Sequence, residues 1–367
     1  VKIFLNIIFP YFIFLTVICS KIEQNFLLFI LKMYIINIMI NNNKFFIKKL
    51  KTVIFIGYTP NINDLIKFNS KNKIKSHIIT SSKQEKLFKT KQNIKSFEQL
   101  DNKFENYIKK NFNISETLFL SISPMFIIKK NIIDFLQNNF INFTPSRLPF
   151  DTGRGGFSWH ILREDKIYNQ TFQMTRPDQN GDIIENETSL FPQNCKIPID
   201  YEDYKLVQMV SFYNRFLKKI IKGDSLKLRA IESNIGRHNR ALNTLKDGFI
   251  NWNYNAHDLY NFINAFDDPH QGASTFLDRG SYGRLFLKKV HLHGGDTSNH
   301  PIMSGTVSRH DKKWIVVCTT GKYMILIEDV LNEKGKNIIN DIRVGDKFYT
   351  PYKFIEDSSS KAIDYES

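Results

Sequence analysis

The stretch F-I-N-F-T-P-S-R-L-P-F-D-T-G-R-G-G-F-S-W-H-I-L-R-E-D, residues 140 to 165, continued at 169 to 184 by N-Q-T-F-Q-M-T-R-P-D-Q-N-G-D-I-I, decides how the 367-residue chain is read. An apolar run ends at an Asn and enters a Pro-bounded turn and a Gly-rich loop. A helix-sized segment follows, then a strand that closes in an acidic Gly turn. That is how an α/β protein presents chemistry, because ligands in such folds bind outside the carboxyl ends of the strands.

Upstream the pattern repeats. Thr52-Val-Ile-Phe-Ile-Gly57 is a short apolar run closed by Gly, the mark of a buried parallel strand and the expected start of the folded part. Asn61 is placed to cap a helix that carries Leu65, Ile66 and Phe68 on one side. Ile74 to Thr80 reads as a strand, Phe97 to Lys110 as a helix, Thr117 to Ile122 as a third strand, and Lys129 to Asn139 as the helix leading into Phe140. The alternation predicts an α/β domain over residues 51–223, a Rossmann-like, doubly wound parallel sheet. The first strand is followed by G-Y-T-P, so the G-x-G-x-x-G fingerprint is absent, which argues against a nicotinamide cofactor.

Downstream, Asp203 to Lys222 reads as a helix whose Leu206, Met209, Val210, Tyr213 and Leu217 form a core stripe, ended by Gly223. Residues 224–246 are basic and irregular and read as a linker. From Asp247 the pattern changes to short strands, turns and aromatics, with a helix from Ala256 to Phe266. This predicts a smaller, mostly β domain of OB-like barrel type over residues 247–356, followed by a tail.

Before Thr52 lie two apolar runs, residues 3 to 19 and 26 to 40. Asn6 and Pro10 interrupt the first and Lys32 the second. They read as an over-extended start of translation or as a membrane anchor. Lys plus Arg number 51 against 36 acidic residues, a net +15 that permits a nucleic-acid or membrane partner without demanding one. Over-use of Lys, Asn, Ile and Phe throughout accounts for the charge equally well. Cys19, Cys195 and Cys318 stand far apart, with no C-x-x-C pair, so neither a disulfide framework nor a thiolate metal site is indicated, and a cytoplasmic compartment is expected. His291, His293, His300 and His310 lack a carboxylate or Cys at ligand spacing; no metal is expected there.

Asn-x-Thr-x-Ser-x-Leu-Pro, the Gly-rich loop, Ser-Trp and the later Gly-Asp-Ile-Ile resemble the folate-dependent formyltransferase family, whose pattern is Asn-x-His-x-Ser-x-Leu-Pro with Asp-x-Gly-x-Ile. The later D-G-F-I-N-W, P-H-Q-G-A-S-T-F and T-T-G-K-Y-M-I-L resemble that family's carboxyl-terminal β domain, and together the two resemblances cover about residues 52 to 352. The resemblance implies 10-formyltetrahydrofolate as formyl donor and a primary amine as acceptor. The phrase from Arg147 to Asp165, with A-F-D-D-P at 265 to 269, resembles a bacterial branch whose acceptor is expected to be an amino sugar on a nucleotide. Methionyl-tRNA is the alternative acceptor, with Arg237, Arg240 and Lys246 of the linker facing a phosphate backbone. A folate- or nucleotide-binding relative without catalysis is the alternative from another class.

Formyl transfer to an amine passes through a tetrahedral intermediate. It needs a donor for the oxyanion, a base for the amine proton and a carrier held in line. Residues i and i+2 of a strand share a face, which is why the family's Asn-x-His acts as a unit. Asn142 is in register with that Asn, and its amide is a donor. Thr144 stands where the family has His, and a hydroxyl has no basicity near neutral pH. At the family's Asp position stands Gln179, with Asp178 one residue early; the four, Asn142, Thr144, Asp178 and Gln179, are the candidate catalytic residues. The resemblance further implies folate contacts from Met125, Phe126, Ser146, Leu148, Pro149, Gly181 and Asp182, although Asp182 also reads as a turn residue. Arg154, Gly155 and Gly156 in the Gly-rich loop are expected to meet the acceptor, with Arg154 on a phosphate. His160, beside the motif, is either a half-buried structural histidine or a substitute base.

Overall fold

The computed structural model describes residues 44–88, 93–153, 156–176, 181–231 and 236–359. The apolar runs at 3–19 and 26–40 lie outside them, and among the described residues no helix is long and apolar enough to cross a membrane.

The first half alternates as expected: β1 (Lys44–Phe45), β2 (Thr52–Gly57), α1 (Ile62–Lys71), β3 (Lys75–Ser81), α2 (Ser82–Glu85), β4 (Ile94–Phe97), α3 (Asn102–Asn111), β5 (Thr117–Ile122), α4 (Lys130–Leu136) and β6 (Phe140–Thr144). After β7 (Asp151–Gly153) and α5 (Ser158–Leu162) come β8 (Ile167–Met174), β9 (Ile183–Leu190) and the long α6 (Pro198–Lys222). One seven-stranded sheet runs β4-β3-β2-β5-β6-β8-β9, parallel up to β6 and antiparallel beyond it. Helices cover both faces. Val53, Phe55, Leu118, Leu120, Ile141 and Phe172 point to one face and pack under α1 and α6. Ile54, Ile56, Phe119 and Phe140 point to the other and pack under α3 and α4.

Past α6 the chain forms β10 (Leu226–Lys227), β11 (Arg237–Asn239), α7 (Thr244–Asp247), α8 (Ala256–Ala265), β12 (Ala273–Leu277), β13 (Leu285–Asn299), β14 (Val307–His310), β15 (Ile315–Cys318), β16 (Gly321–Asn332), β17 (Phe348–Tyr349) and α9 (Tyr352–Ser359). The second sheet is antiparallel in the order β14-β15-β16-β13-β12-β17, curled as a half-barrel around α8. Its core is continuous with Phe157, Ile161, Tyr168, Phe191 and Tyr201 of the first half. Ser158 donates its hydroxyl to the carbonyl of Ala265 at 2.7 Å, and the Ile199 amide donates to Asp268 at 2.9 Å. The half-barrel therefore holds the loop-and-helix segment after β6 in place.

Four elements depart from the sequence reading. The fold already includes Lys44 to Ile47, ahead of Thr52, because β1 pairs with β10 and both Phe45 and Ile47 are buried against α6. Residues 94–97 are strand, since they complete the edge beside β3, so the helix expected from Phe97 starts at Asn102, behind an Asp101 carboxylate that accepts the Lys103 amide. Helix α6 starts at Pro198, where a missing N–H costs nothing and the Asp200 carboxylate accepts the amides of Lys196 and Ile197. The linker is tied down at both ends, β10 to β1 and β11 parallel to β7.

Gly223 ends α6 with φ +81, and a Cβ there would meet nothing within 4 Å. The only penalty for a side chain is the left-handed backbone, so Gly223→Ala is expected to cost about 1–2 kcal/mol. A shift in the urea midpoint of that size, with unchanged m, checks it.

Candidate active site

On the α3/α4 face of the sheet the apolar covering stops at the carboxyl ends of the strands, and the side chains become polar. In-register pairing sets Ser121 beside Asn142, Asn142 beside Gln173, and Thr144 beside Thr171. Alternation puts Phe143 and Phe172 on the opposite face, in the core under α6. The result is a strip of five polar side chains on three strands. The Asn142 Nδ2 donates to Thr144 Oγ1 at 2.9 Å, the contact that i, i+2 spacing permits. Gln173 is buried, and its Oε1 has no hydrogen-bond partner.

The strip opens on a cavity of about 560 Å³. Ser123, Pro124, Asn142, Thr144 and Ser146 form its floor at the strand ends. Its far wall is α5 with Trp159, His160 and Arg163, closed by Asp165, by Glu202 and Lys205 of α6, and by Asn239 of β11. Arg163 is held on three sides. It stacks over Trp159 at 4.9 Å, donates to Asn239 Oδ1 at 2.5 Å and lies 3.5 Å from Asp151. Asp151, itself buried, also meets Arg237 at 3.3 Å. Burial and the Arg237 charge both disfavour the Arg163 cation, and the Asp151 and Asp165 carboxylates oppose them. Gly153 has φ +91 and lies so close to β11 that a Cβ would come 2.2 Å from the Asn239 carbonyl, so only Gly allows that pairing.

Of the residues expected from sequence, Asn142, Thr144, Ser146 and Gly156 line the cavity. Met125 is 61 % exposed, and Phe126 packs against the α3/α4 core. Leu148 and Pro149 form the turn after Ser146, joined by a cis peptide. Gly181 touches Met174 so closely that a Cβ would fall 1.7 Å from its carbonyl, and Asp182 accepts the Met174 amide at 2.8 Å, with its carboxylate 3.9 Å from Arg176. These six are not among the residues that line the cavity. Asp178, Gln179, Arg154 and Gly155 lie outside the described residues. Asp151, Arg163 and Asp165 stand inside the quoted phrase from Arg147 to Asp165 but were given no role there, and Glu202, Lys205, Asn239 and Gln173 carry no motif in the sequence. For Gln173 the only signal in the sequence is its period-two alternation with Phe172.

Two of the three linker cations are engaged within the chain: Arg237 with Asp151, and Arg240 with Asp247 at 2.8 Å. Of the histidines outside the site, His291 pairs with Glu328 at 3.3 Å, His300 accepts the Ile302 amide, and His310 Nε2 lies 3.1 Å from the Ile339 carbonyl. Among the described residues no group of three His, Cys, Asp or Glu is placed to hold a metal ion. Cys195 and Cys318 are buried and free.

Residues 244–341 match the family model described as formyl transferase, C-terminal domain. A stretch of 159 residues, 41 % of this chain, is 25 % identical to the bifunctional polymyxin resistance protein ArnA of Wigglesworthia glossinidia brevipalpis; it spans 23 % of that longer relative. Among solved structures, the fold is similar to WlaRD, a sugar 3N-formyl transferase crystallised with dTDP and 5-N-formyl-THF. The TM-score is 0.53 at 17 % identity, over 76 % of this chain and 97 % of that one. It is also similar to the N-formyltransferase of Helicobacter canadensis in complex with folinic acid and dTDP-3-aminofucose, with TM-score 0.54 at 14 % identity, over 76 % and 99 %. The resemblance to the folate-dependent formyltransferases is borne out by the matched domain, which takes in the motif at 265–275, and the α/β sheet followed by a smaller β unit by the shared fold.

Proposed function

We propose that this chain, a relative of the folate-dependent formyltransferases, moves a formyl group from 10-formyltetrahydrofolate to the primary amine of a nucleotide-linked amino sugar. The observation that carries the reading is the Asn142 amide at the carboxyl end of β6, directed with Thr144 at a cavity of about 560 Å³. A pocket of that volume suits a small-molecule pair and not a folded nucleic acid. The polar strip supplies the donor that an oxyanion needs, and the strand-end floor at Ser123, Pro124 and Ser146 is where a folate would lie. WlaRD and the Helicobacter canadensis protein are both described with a folate and a dTDP ligand, which supports this pairing of substrates. The engagement of Arg237 and Arg240 inside the chain weakens the tRNA alternative, because neither is a free contact for a phosphate backbone. A cytoplasmic location goes with these substrates.

In the test, the full chain is incubated with 10-formyltetrahydrofolate and either dTDP- or UDP-linked amino sugars or methionyl-tRNA, and release of tetrahydrofolate is followed. Release with an amino-sugar nucleotide and none with methionyl-tRNA is the expected result. Turnover with tRNA alone would overturn the acceptor. Folate binding without turnover on any amine would make the chain a binding relative.

A further inference from the structure

The Asn-x-Thr strand end holds no group able to take a proton at neutral pH, so the base must come from elsewhere in the cavity. Among the described residues, the titratable groups lining it are Asp151, Asp165, Glu202, Lys205, Arg163 and His160. Asp151 is held between Arg163 and Arg237, Glu202 is paired with Lys205, and Asp165 accepts the Ile167 amide. Two of the three carboxylates are committed to cations, the cations have no lone pair to offer, and imidazole is the side chain whose ordinary basicity lies nearest neutral pH. His160 is left.

Its ring packs against Phe157, Phe191 and Tyr201, with centroids at 5.8, 5.6 and 6.4 Å. Its Nδ1 lies 3.2 Å from the Asp165 carbonyl oxygen. A carbonyl only accepts, so Nδ1 carries the hydrogen and Nε2 keeps the lone pair. The ring lines the cavity, and no hydrogen bond from Nε2 to another described residue competes for that lone pair.

We infer that His160 is the general base of this site, its Nε2 taking the proton that the family's histidine would take at the position of Thr144. The inference rests on the formyl-transfer reading. The amine nitrogen attacks the formyl carbon, a C–N bond forms, and the C=O electron pair moves onto oxygen, where the Asn142 amide donates to it. The ammonium proton passes to Nε2. When the C=O reforms, the bond from carbon to the donor nitrogen breaks, and that nitrogen takes the proton from the imidazolium. The products are a formamide and tetrahydrofolate, and His160 is again neutral.

Burial holds the imidazole below its ordinary 6.5. The Asp165 and Asp151 carboxylates oppose this and Arg163 adds to it, while Tyr201, Glu202 and Lys205 of α6 complete the surroundings. The neutral, base-competent form is therefore present at pH 7 and is lost as pH falls below 6.5.

The test is the pH dependence of kcat/KM for the full chain with 10-formyltetrahydrofolate and an amino-sugar nucleotide. The wild-type acid limb should carry one more proton than that of His160→Gln, and the variant should lose roughly 10²- to 10⁴-fold in kcat while binding folate normally. A limb of the same steepness in both proteins, or less than a tenfold loss, overturns the assignment of His160 and leaves formyl transfer standing. If His160→Gln does not fold, the wild-type profile still decides, since no His-dependent limb below 6.5 refutes the base. No turnover of any amine by the wild type overturns both readings.

Discussion

Asn142→Ala is expected to lower kcat for formyl transfer by roughly 10²- to 10³-fold, the loss that follows removal of one preorganised oxyanion donor. In the resting protein Nδ2 is oriented by Thr144 Oγ1 at 2.9 Å, and β5 and β8 flank Asn142 on either side, so the amide is aimed before substrate arrives. An interaction made only as the carbonyl becomes an oxyanion appears in kcat and leaves substrate binding nearly unchanged. KM for the folate donor should therefore stay within about threefold. Asn142→Asp should be at least as damaging, because it places a negative charge where another develops. Stability should hardly move, since Asn142 is only partly buried and the change leaves the apolar face of β6 intact. Steady-state kinetics beside a thermal melt make the check. A kcat within fivefold of wild type would mean that the oxyanion is held by another group.

The floor of this site was legible because it is local. Asn142, Thr144 and Ser146 lie within five residues, and strand alternation turns their spacing into a shared face. The walls were not. Asn239 reaches the cavity only because a basic, featureless segment pairs in parallel with Asp151 to Gly153, and Glu202 and Lys205 only because α6 starts at Pro198 and so presents its first turns to the site. Such contacts join residues some fifty to ninety positions apart, and local pattern carries no trace of them. The same holds for Phe45 and Ile47: in sequence they close a Lys- and Asn-rich stretch, in the fold they are core. His160 reads as a structural histidine in its aromatic nest, and that remains a fair description of three sides of the ring. The fourth side, open to the cavity, exists only in three dimensions.

The back of the site bears the second large effect. Phe172 is 1 % exposed and lies between the two residues of β8 that face the site, Thr171 and Gln173. Its ring stacks on Phe212 at 4.6 Å and 6° and meets Phe216 at 4.4 Å, both on α6, with Phe143 at 5.7 Å. One ring thus fastens the long helix to the reverse of the catalytic strands. Phe172→Ala removes it from a place where helix and sheet are both fixed by many other contacts, so the space is poorly refilled and the cost is expected at about 3–5 kcal/mol. For a domain of this size that corresponds to a fall in Tm of roughly 10 °C or more. Phe172→Leu keeps much of the apolar volume and should cost less than half as much. The signature is opposite to that of Asn142→Ala: kcat per folded molecule well below the melt changes little, because Thr171 and Gln173 are held by backbone pairing to β6 and β9. A small change in Tm would mean that α6 can move in to fill the gap. A large loss of kcat at full folding would mean instead that the packing of α6 sets the pitch of the strand on which the site is built.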